Sequence, residues 1–344
     1  MSKLGLLLPL SKPAWLANFK EPPPQPKKIL CMTAAGIGDV IMELPAICAV
    51  KQKFPDAELT VLAHFNRGAN EICKLVPAIN ETIDIGLHSY RWGSVIRFML
   101  TRFWKLLLQL RKKNFDLAIV FWPNPVRKLL LAGLGSKYWL CGNLRNDFPG
   151  EQNKHLLKLL DIELGDTKPT FKIPTPPNHN QILPDNLPRP LIGVHPFCGM
   201  QWRQWSKFDE LREQLAKLPG TVIVVGSKKD YLSKAPGLDL VNKLSIPELF
   251  WVIKQCDVFV TADSGPMHIS LAVGTPTVAI FGPVKPSLRV SPQETTPHTI
   301  LYRPSEESEK TAYAIQRKIL TNEAMQSISI EEVLEKIKNQ LALK

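Results

Sequence analysis

The sequence predicts an α/β protein made of two parallel-sheet domains. Three observations carry this. Short β-branched apolar runs alternate with helix-length segments; each half opens on such a run followed by a glycine turn; and a proline-crowded stretch separates the halves. At 344 residues the chain is long enough for two domains, each with its own core.

In chain order, the first 26 residues read as an amino-terminal arm that ends in EPPPQP. Its LGLLLPL run is short, is broken by Pro9 and has no small-residue cleavage site, so a partly ordered arm is expected in place of a signal peptide. The first domain is expected over residues 27–168. It opens on KKILCM and the turn TAAGIGD, continues through a helix from about residue 40, and adds strands at LTVLAH (59–64) and DLAIVFW (116–122).

Residues 169–187 form a proline-rich linker, read as extended chain. The second domain follows over 188–344 and includes a carboxy-terminal helix. RPLIGVHPFCG repeats the strand-and-glycine opening, and TVIVVGS (221–227), DVFVTA (257–262) and PTVAIFG (276–282) supply further strands. Two such layers joined by a linker leave a cleft, and ligands of parallel sheets bind at the carboxyl ends of strands.

Residues 91–113 (RWGSVIRFMLTRFWKLLLQLRKK) read as one basic amphipathic helix. Its apolar positions suit packing on the domain's own sheet, and its tryptophans and basic residues suit an anionic membrane surface. The two uses are compatible.

Composition narrows the partners. The 44% hydrophobic and 22% charged content is that of a globular protein. A formal charge of +12 suits nucleic acid, an anionic membrane or a phosphorylated substrate. Nucleic acid is not expected, because the basic residues gather on an apolar-striped helix without an aromatic stacking platform. No apolar run reaches spanning length. The six cysteines show neither CxxC nor metal-ligand spacing, which suits reduced, mostly buried thiols in a cytoplasmic protein.

The densest chemistry lies in ADSGPMHISLAVGTPTVAIFGP (262–283). A strand ends at Thr261, Asp263, Ser264 and Gly265 form a polar turn, Pro266 fits a first helical turn, and Gly274 ends the helix. The N–H groups at such a helix start suit a phosphate, with His268 in the first turn beside them.

This stretch resembles the carboxy-terminal signature of glycosyltransferase family 9, the heptosyltransferases of lipopolysaccharide core synthesis. Asp263, Ser264, Gly265, His268, Ala272, Gly274, Pro276, Phe281, Gly282, Pro283 and Pro286 fit the family pattern. Gly38, Asp39, Leu44, Pro45 and Ala46 fit its amino-terminal motif, and Arg203 with Trp205 and Gly226 with Asp230 fit two weaker ones.

The resemblance implies a GT-B fold, two Rossmann-like domains facing across a cleft. The first would bind a lipopolysaccharide-core or other surface-glycan acceptor and the second a nucleotide-sugar donor, usually ADP-heptose. It implies inverting transfer with no cofactor and no metal requirement, at the inner face of the cytoplasmic membrane. Asp39 takes the place of the general base. Arg203, Asp230, Asp263, Ser264, Gly265 and His268 fall on the donor side, and Gly36, Gly38, Glu43 and Arg127 on the acceptor side. The chain departs from the family at Met42 and Glu43, which replace His and Thr, and at FWPNP (121–125).

Two other readings remain open from the residues. One is a non-catalytic nucleotide- or glycan-binding protein of the same fold. The other is a dinucleotide- or S-adenosylmethionine-dependent enzyme, suggested by GIGD but lacking the third glycine, whose place Ile41 fills.

Overall fold

A computed structural model describes residues 16–34, 36–64, 68–87, 91–142, 149–165, 167–228, 235–291, 294–304 and 322–342. The chain divides into two compact units, Met1–Lys172 and Ile173–Lys344.

Unit 1 runs β1 (Leu16–Ala17), β2 (Lys28–Met32), α1 (Ile37–Lys53), β3 (Glu58–Ala63), α2 (Ala69–Lys74), β4 (Glu81–Asp84), α3 (Trp92–Thr101), α4 (Phe103–Lys112), β5 (Leu117–Val120), α5 (Pro125–Leu134), β6 (Tyr138–Cys141) and α6 (Pro149–Lys158). The sheet order is β1-β6-β5-β2-β3-β4. All pairs are parallel except β1 on β6. The strand order reverses between β2 and β5, where Ile29 lies opposite Leu117.

Apolar side chains cover both faces of this sheet. Leu30, Met32, Ala118 and Val120 join Phe98, Phe103, Leu107 and Leu110 in one buried cluster. A sheet buried on both faces needs continuous apolar strands, which is the pattern of KILCM and LAIV. Of the arm, Leu16–Ala17 adds an antiparallel edge strand. Asn18 fixes it: its amide donates to the Lys137 carbonyl (2.8 Å) and its Oδ1 accepts from the Trp139 N–H (2.7 Å). The LGLLLPL run lies outside the described residues.

The basic segment 91–113 is two helices, with the break at Arg102. The cause is the spacing of its core contacts. At about 100° per residue, Phe98 lies roughly a quarter to a third of a turn away from Leu106 and Leu110 on a straight helix. All three are buried, so the chain bends to seat both sets, and the Phe98 and Phe103 rings meet edge to face across the bend.

Unit 2 runs α7 (His179–Ile182), β7 (Leu191–His195), α8 (Phe208–Leu215), β8 (Thr221–Val224), β9 (Leu238–Asp239), α9 (Ile246–Gln255), β10 (Val258–Ala262), α10 (Gly265–Val273), β11 (Thr277–Ile280) and β12 (His298–Leu301), then helices Glu323–Gln326 and Ile330–Ala342. The short helix α7 sits within the proline-rich segment expected to be wholly extended. The sheet order is β12-β11-β10-β7-β8-β9, all parallel, with its reversal between β7 and β10. Trp205 and Phe208 form part of its buried core, and the Trp205 indole N–H donates to the Ile328 carbonyl (3.2 Å).

Candidate functional site

Each unit gathers its chemistry at the carboxyl ends of the two strands that flank its reversal point, the crevice where ligands of open parallel sheets bind.

In unit 2 these ends carry Pro196–Gln204 after β7 and Asp263–Gly265 after β10. The Asp263 carboxylate is buried, and its Oδ2 lies 3.3 Å from Arg203 Nη1 and 3.6 Å from Arg289 Nε. Arg203 also stacks on Trp202, with its guanidinium carbon 4.5 Å from the ring centroid.

The loop bearing Arg203 is tied down from several sides. Gln204 Nε2 donates to the Pro196 carbonyl (2.6 Å), and Gln204 Oε1 accepts from the Cys198 N–H (3.0 Å). Gln326 Nε2 and Asn322 Nδ2 donate to the Gln204 carbonyl from the carboxy-terminal segment (2.7 and 3.0 Å). Gly282 lies against the same loop: a Cβ there would stand 2.8 Å from the Trp202 carbonyl oxygen.

Ser264 is the N-cap of α10, but its side chain makes no cap hydrogen bond. Its hydroxyl turns to Thr261 Oγ1 (3.0 Å) and His195 Nδ1 (3.2 Å). Burial lowers the His195 pKa to about 3, so the ring is neutral. Thr261 Oγ1 lies 3.3 Å from the same nitrogen. The N–H groups that open α10 are therefore not capped by Ser264, and they carry the positive end of the helix dipole. Gly274 ends α10 with φ 82°, the left-handed conformation expected at that position. His268 is buried in the first turn of α10. Asp230 lies outside the described residues.

In unit 1 the corresponding ends carry Thr33–Gly38 after β2 and Phe121–Asn124 after β5. α1 begins at Ile37 with Gly36 as its N-cap, so Asp39 lies within the first turn and is not the cap. Its carboxylate folds back over Gly36: a Cβ on Gly36 would stand 2.7 Å from Asp39 Oδ2. Gly36, Gly38 and Asp39 are partly exposed.

Glu43 and Arg127, expected among the acceptor-side residues, are buried, each 1% exposed. Glu43 braces the Thr33–Gly38 loop and Arg127 the Phe121–Asn124 loop, and neither presents its side chain at the surface. Glu43 Oε2 accepts from the Ala34 N–H (2.9 Å). Burial, more than the neighbouring Asp39 charge, raises the Glu43 pKa to about 8 against the opposing Ala34 hydrogen bond and Arg127 charge. Arg127 Nη1 donates to the Trp122 carbonyl (3.3 Å), and its N–H donates to Asn124 Oδ1 (2.9 Å), the cap of α5.

Sequence reasoning missed Arg289, His195, Thr261 and the clamp through Gln204. Arg289 sits six residues after Pro283, just past the single 3-10 turn Pro286–Leu288, where no periodicity marks a basic side chain as buried. His195 had a signal: it closes a strand of apolar residues, where a polar side chain needs a partner.

Comparison with known proteins gives a consistent result. Residues 151–312 match the model of glycosyltransferase family 9 (heptosyltransferase). The chain is 27% identical over 284 residues to lipooligosaccharide heptosyltransferase 2 of Campylobacter jejuni, covering 75% of this chain and 82% of that one. It is 24% identical over 307 residues to lipopolysaccharide heptosyltransferase 2 of Escherichia coli K12, covering 75% and 84%.

Among solved structures, a family 9 glycosyltransferase from Veillonella parvula superposes with a TM-score of 0.73 at 17% identity, over 92% of this chain and 98% of that one. The E. coli ADP-heptose heptosyltransferase II gives 0.66 at 21%, over 92% and 99%. E. coli heptosyltransferase WaaC with ADP gives 0.64 at 15%, over 91% and 99%. The two parallel α/β units are those of the GT-B fold.

Proposed function

We propose that this chain, whose residues 151–312 match the glycosyltransferase family 9 model and which is similar to lipooligosaccharide and lipopolysaccharide heptosyltransferases, is a glycosyltransferase that transfers heptose from ADP-heptose to a lipopolysaccharide-core acceptor with inversion. The observation that carries the reading is the pairing of Arg203 and Arg289 with a single buried carboxylate, Asp263, beside the α10 start. Asp263 thus gathers two guanidiniums beside the α10 start, where a leaving diphosphate can be received.

Asp39 is the general base. Its carboxylate takes the proton of the acceptor hydroxyl as that oxygen attacks the anomeric carbon. The bond from the anomeric carbon to the diphosphate oxygen breaks, and its electron pair leaves with the nucleoside diphosphate. Attack opposite the leaving group inverts the anomeric centre. Arg203, with Arg289 behind Asp263 and the α10 N–H groups, meets the charge that develops on the diphosphate. On this reading no divalent ion is required. Glu43 holds the Ala34 N–H, and through it the loop that leads to Asp39.

The names of the relatives support heptose as the sugar and lipopolysaccharide or lipooligosaccharide as the acceptor. The test is transfer from ADP-heptose to inner-core acceptors by purified protein, compared with Asp39→Asn. Loss of about 10²–10⁴-fold in kcat with ADP affinity unchanged is expected for a base. Full activity in the variant would remove Asp39 from the mechanism. Failure to transfer heptose to any inner-core acceptor would overturn the substrate assignment.

A further inference from the structure

α3 and α4 carry two apolar faces, and the fold of unit 1 uses only one. Phe98, Phe103, Leu106, Leu107 and Leu110 are buried in the core. Trp92, Ile96, Leu100, Trp104 and Leu108 are exposed at 84, 54, 77, 62 and 59%. These five recur every fourth residue across both helices. At about 100° per residue the outer set lies roughly a third to nearly half of a turn round from Phe98 in α3 and about a third of a turn from the mean of the buried set in α4, so the stripe faces away from the core along both helices. Five of the seven exposed large hydrophobics among the described residues belong to it. Single exposed apolar residues are ordinary, but a contiguous stripe marks an interaction surface.

Charge identifies what covers the stripe. Residues 85–115 contain seven Lys and Arg and no Asp or Glu. Arg97, Lys105, Arg111 and Lys112 are exposed along its margins. A second copy docking by the same face would oppose like charges. Nucleic acid offers phosphates but no apolar layer beneath them. An anionic bilayer offers both, with phosphates above an acyl boundary that accepts tryptophan and leucine. Among the described residues no helix is long and apolar enough to cross a membrane.

We propose that the α3–α4 face docks the protein in the plane of an anionic bilayer. Trp92, Ile96, Leu100, Trp104 and Leu108 enter the headgroup–acyl boundary, and Arg97, Lys105, Arg111 and Lys112 lie among the headgroup phosphates. The inference rests on this surface alone and holds whichever sugar or acceptor the enzyme uses.

The test is flotation of the full chain with phosphatidylglycerol/phosphatidylcholine vesicles and with phosphatidylcholine alone, at low and high salt. Binding to the anionic vesicles, weakened by salt, is expected. Acyl-brominated lipid should quench tryptophan emission, and Trp92→Phe/Trp104→Phe should remove that quenching. Lys105→Glu/Arg111→Glu and Leu100→Ser/Leu108→Ser should each lower vesicle affinity by about tenfold or more. All of these sites are exposed, so unchanged melting temperatures are expected to accompany the losses. Three outcomes would overturn the proposal: no flotation with anionic vesicles, undiminished binding by either double variant, or a wild-type dimer that Leu100→Ser/Leu108→Ser dissociates.

Discussion

The Asp263 carboxylate holds two arginines at once, Arg203 at 3.3 Å and Arg289 at 3.6 Å, in a setting where Asp263 and Arg289 are almost wholly buried. The carboxylate is a counter-charge shared by both guanidiniums. Removing one partner of a buried ionic group costs more than the group contributes when intact, because a desolvated charge is left behind. Asp263→Asn is therefore expected to lower unfolding free energy by about 3–5 kcal/mol. Urea denaturation checks this, and ADP should restore more stability to the variant than it adds to the wild type.

Arg203 and lysine are not interchangeable at this site. The guanidinium contacts both Asp263 and the Trp202 ring, and lysine cannot keep both contacts while reaching the proposed diphosphate. Arg203→Lys should reduce kcat/KM for the donor by about 10²–10³-fold, the loss typical of a removed transition-state charge contact. Steady-state kinetics with varied ADP-heptose measures it, and the wild-type rate should persist in EDTA.

Stability should depend on pH through Glu43 and His195 in opposite directions. Glu43 is raised from 4.5 to about 8, so the folded protein holds a proton that the unfolded chain releases across that interval. Its contribution is fully present below pH 4.5 and is lost as pH rises through 8. His195 is lowered from 6.5 to about 3, so its contribution is present above pH 6.5 and is lost as pH falls toward 3. Glu43→Gln keeps an oxygen for the Ala34 N–H and cannot titrate. Its urea midpoint should fall less than that of the wild type between pH 5 and 8.5, and parallel curves would show that Glu43 does not titrate in this range.

The strands at the centre of each sheet were legible, whereas the edge strands and the short interior strand β6 (YWLC) were not. β2, β3, β5, β7, β8, β10 and β11 stand out as apolar runs because the sheet is covered on both faces there. β4, β9 and β12 are short and lie at or near sheet margins, where ETID, LD and HTIL carry too few apolar residues to signal a strand. The same limit applied to the sites. Asp263, Ser264 and Gly265 announced themselves through a strand–turn–helix pattern, whereas Arg289 reaches Asp263 from a loop by tertiary placement alone. Glu43 could be put on the Asp39 side of α1 by its i+4 spacing, but its burial depends on the β2–β5 crevice, which no local pattern encodes.

Gly36 offers a way to separate the proposed base from the rest of the site. A Cβ there would stand 2.7 Å from Asp39 Oδ2, too close for any side chain, and the atom it meets is the free end of a rotatable carboxylate. Gly36 sits at φ −89° and ψ 155°, which alanine adopts without strain, so the backbone has no need to move. Gly36→Ala should therefore turn the Asp39 carboxylate away and leave α1 in place. A misplaced base lowers kcat while the proposed donor site in unit 2 is untouched. The expected result is a fall of about 10²-fold in kcat with ADP affinity and melting temperature close to wild type. Calorimetry and single-turnover kinetics on the same preparation would check it, and wild-type kcat in Gly36→Ala would mean that the orientation of Asp39 over Gly36 has no part in the reaction.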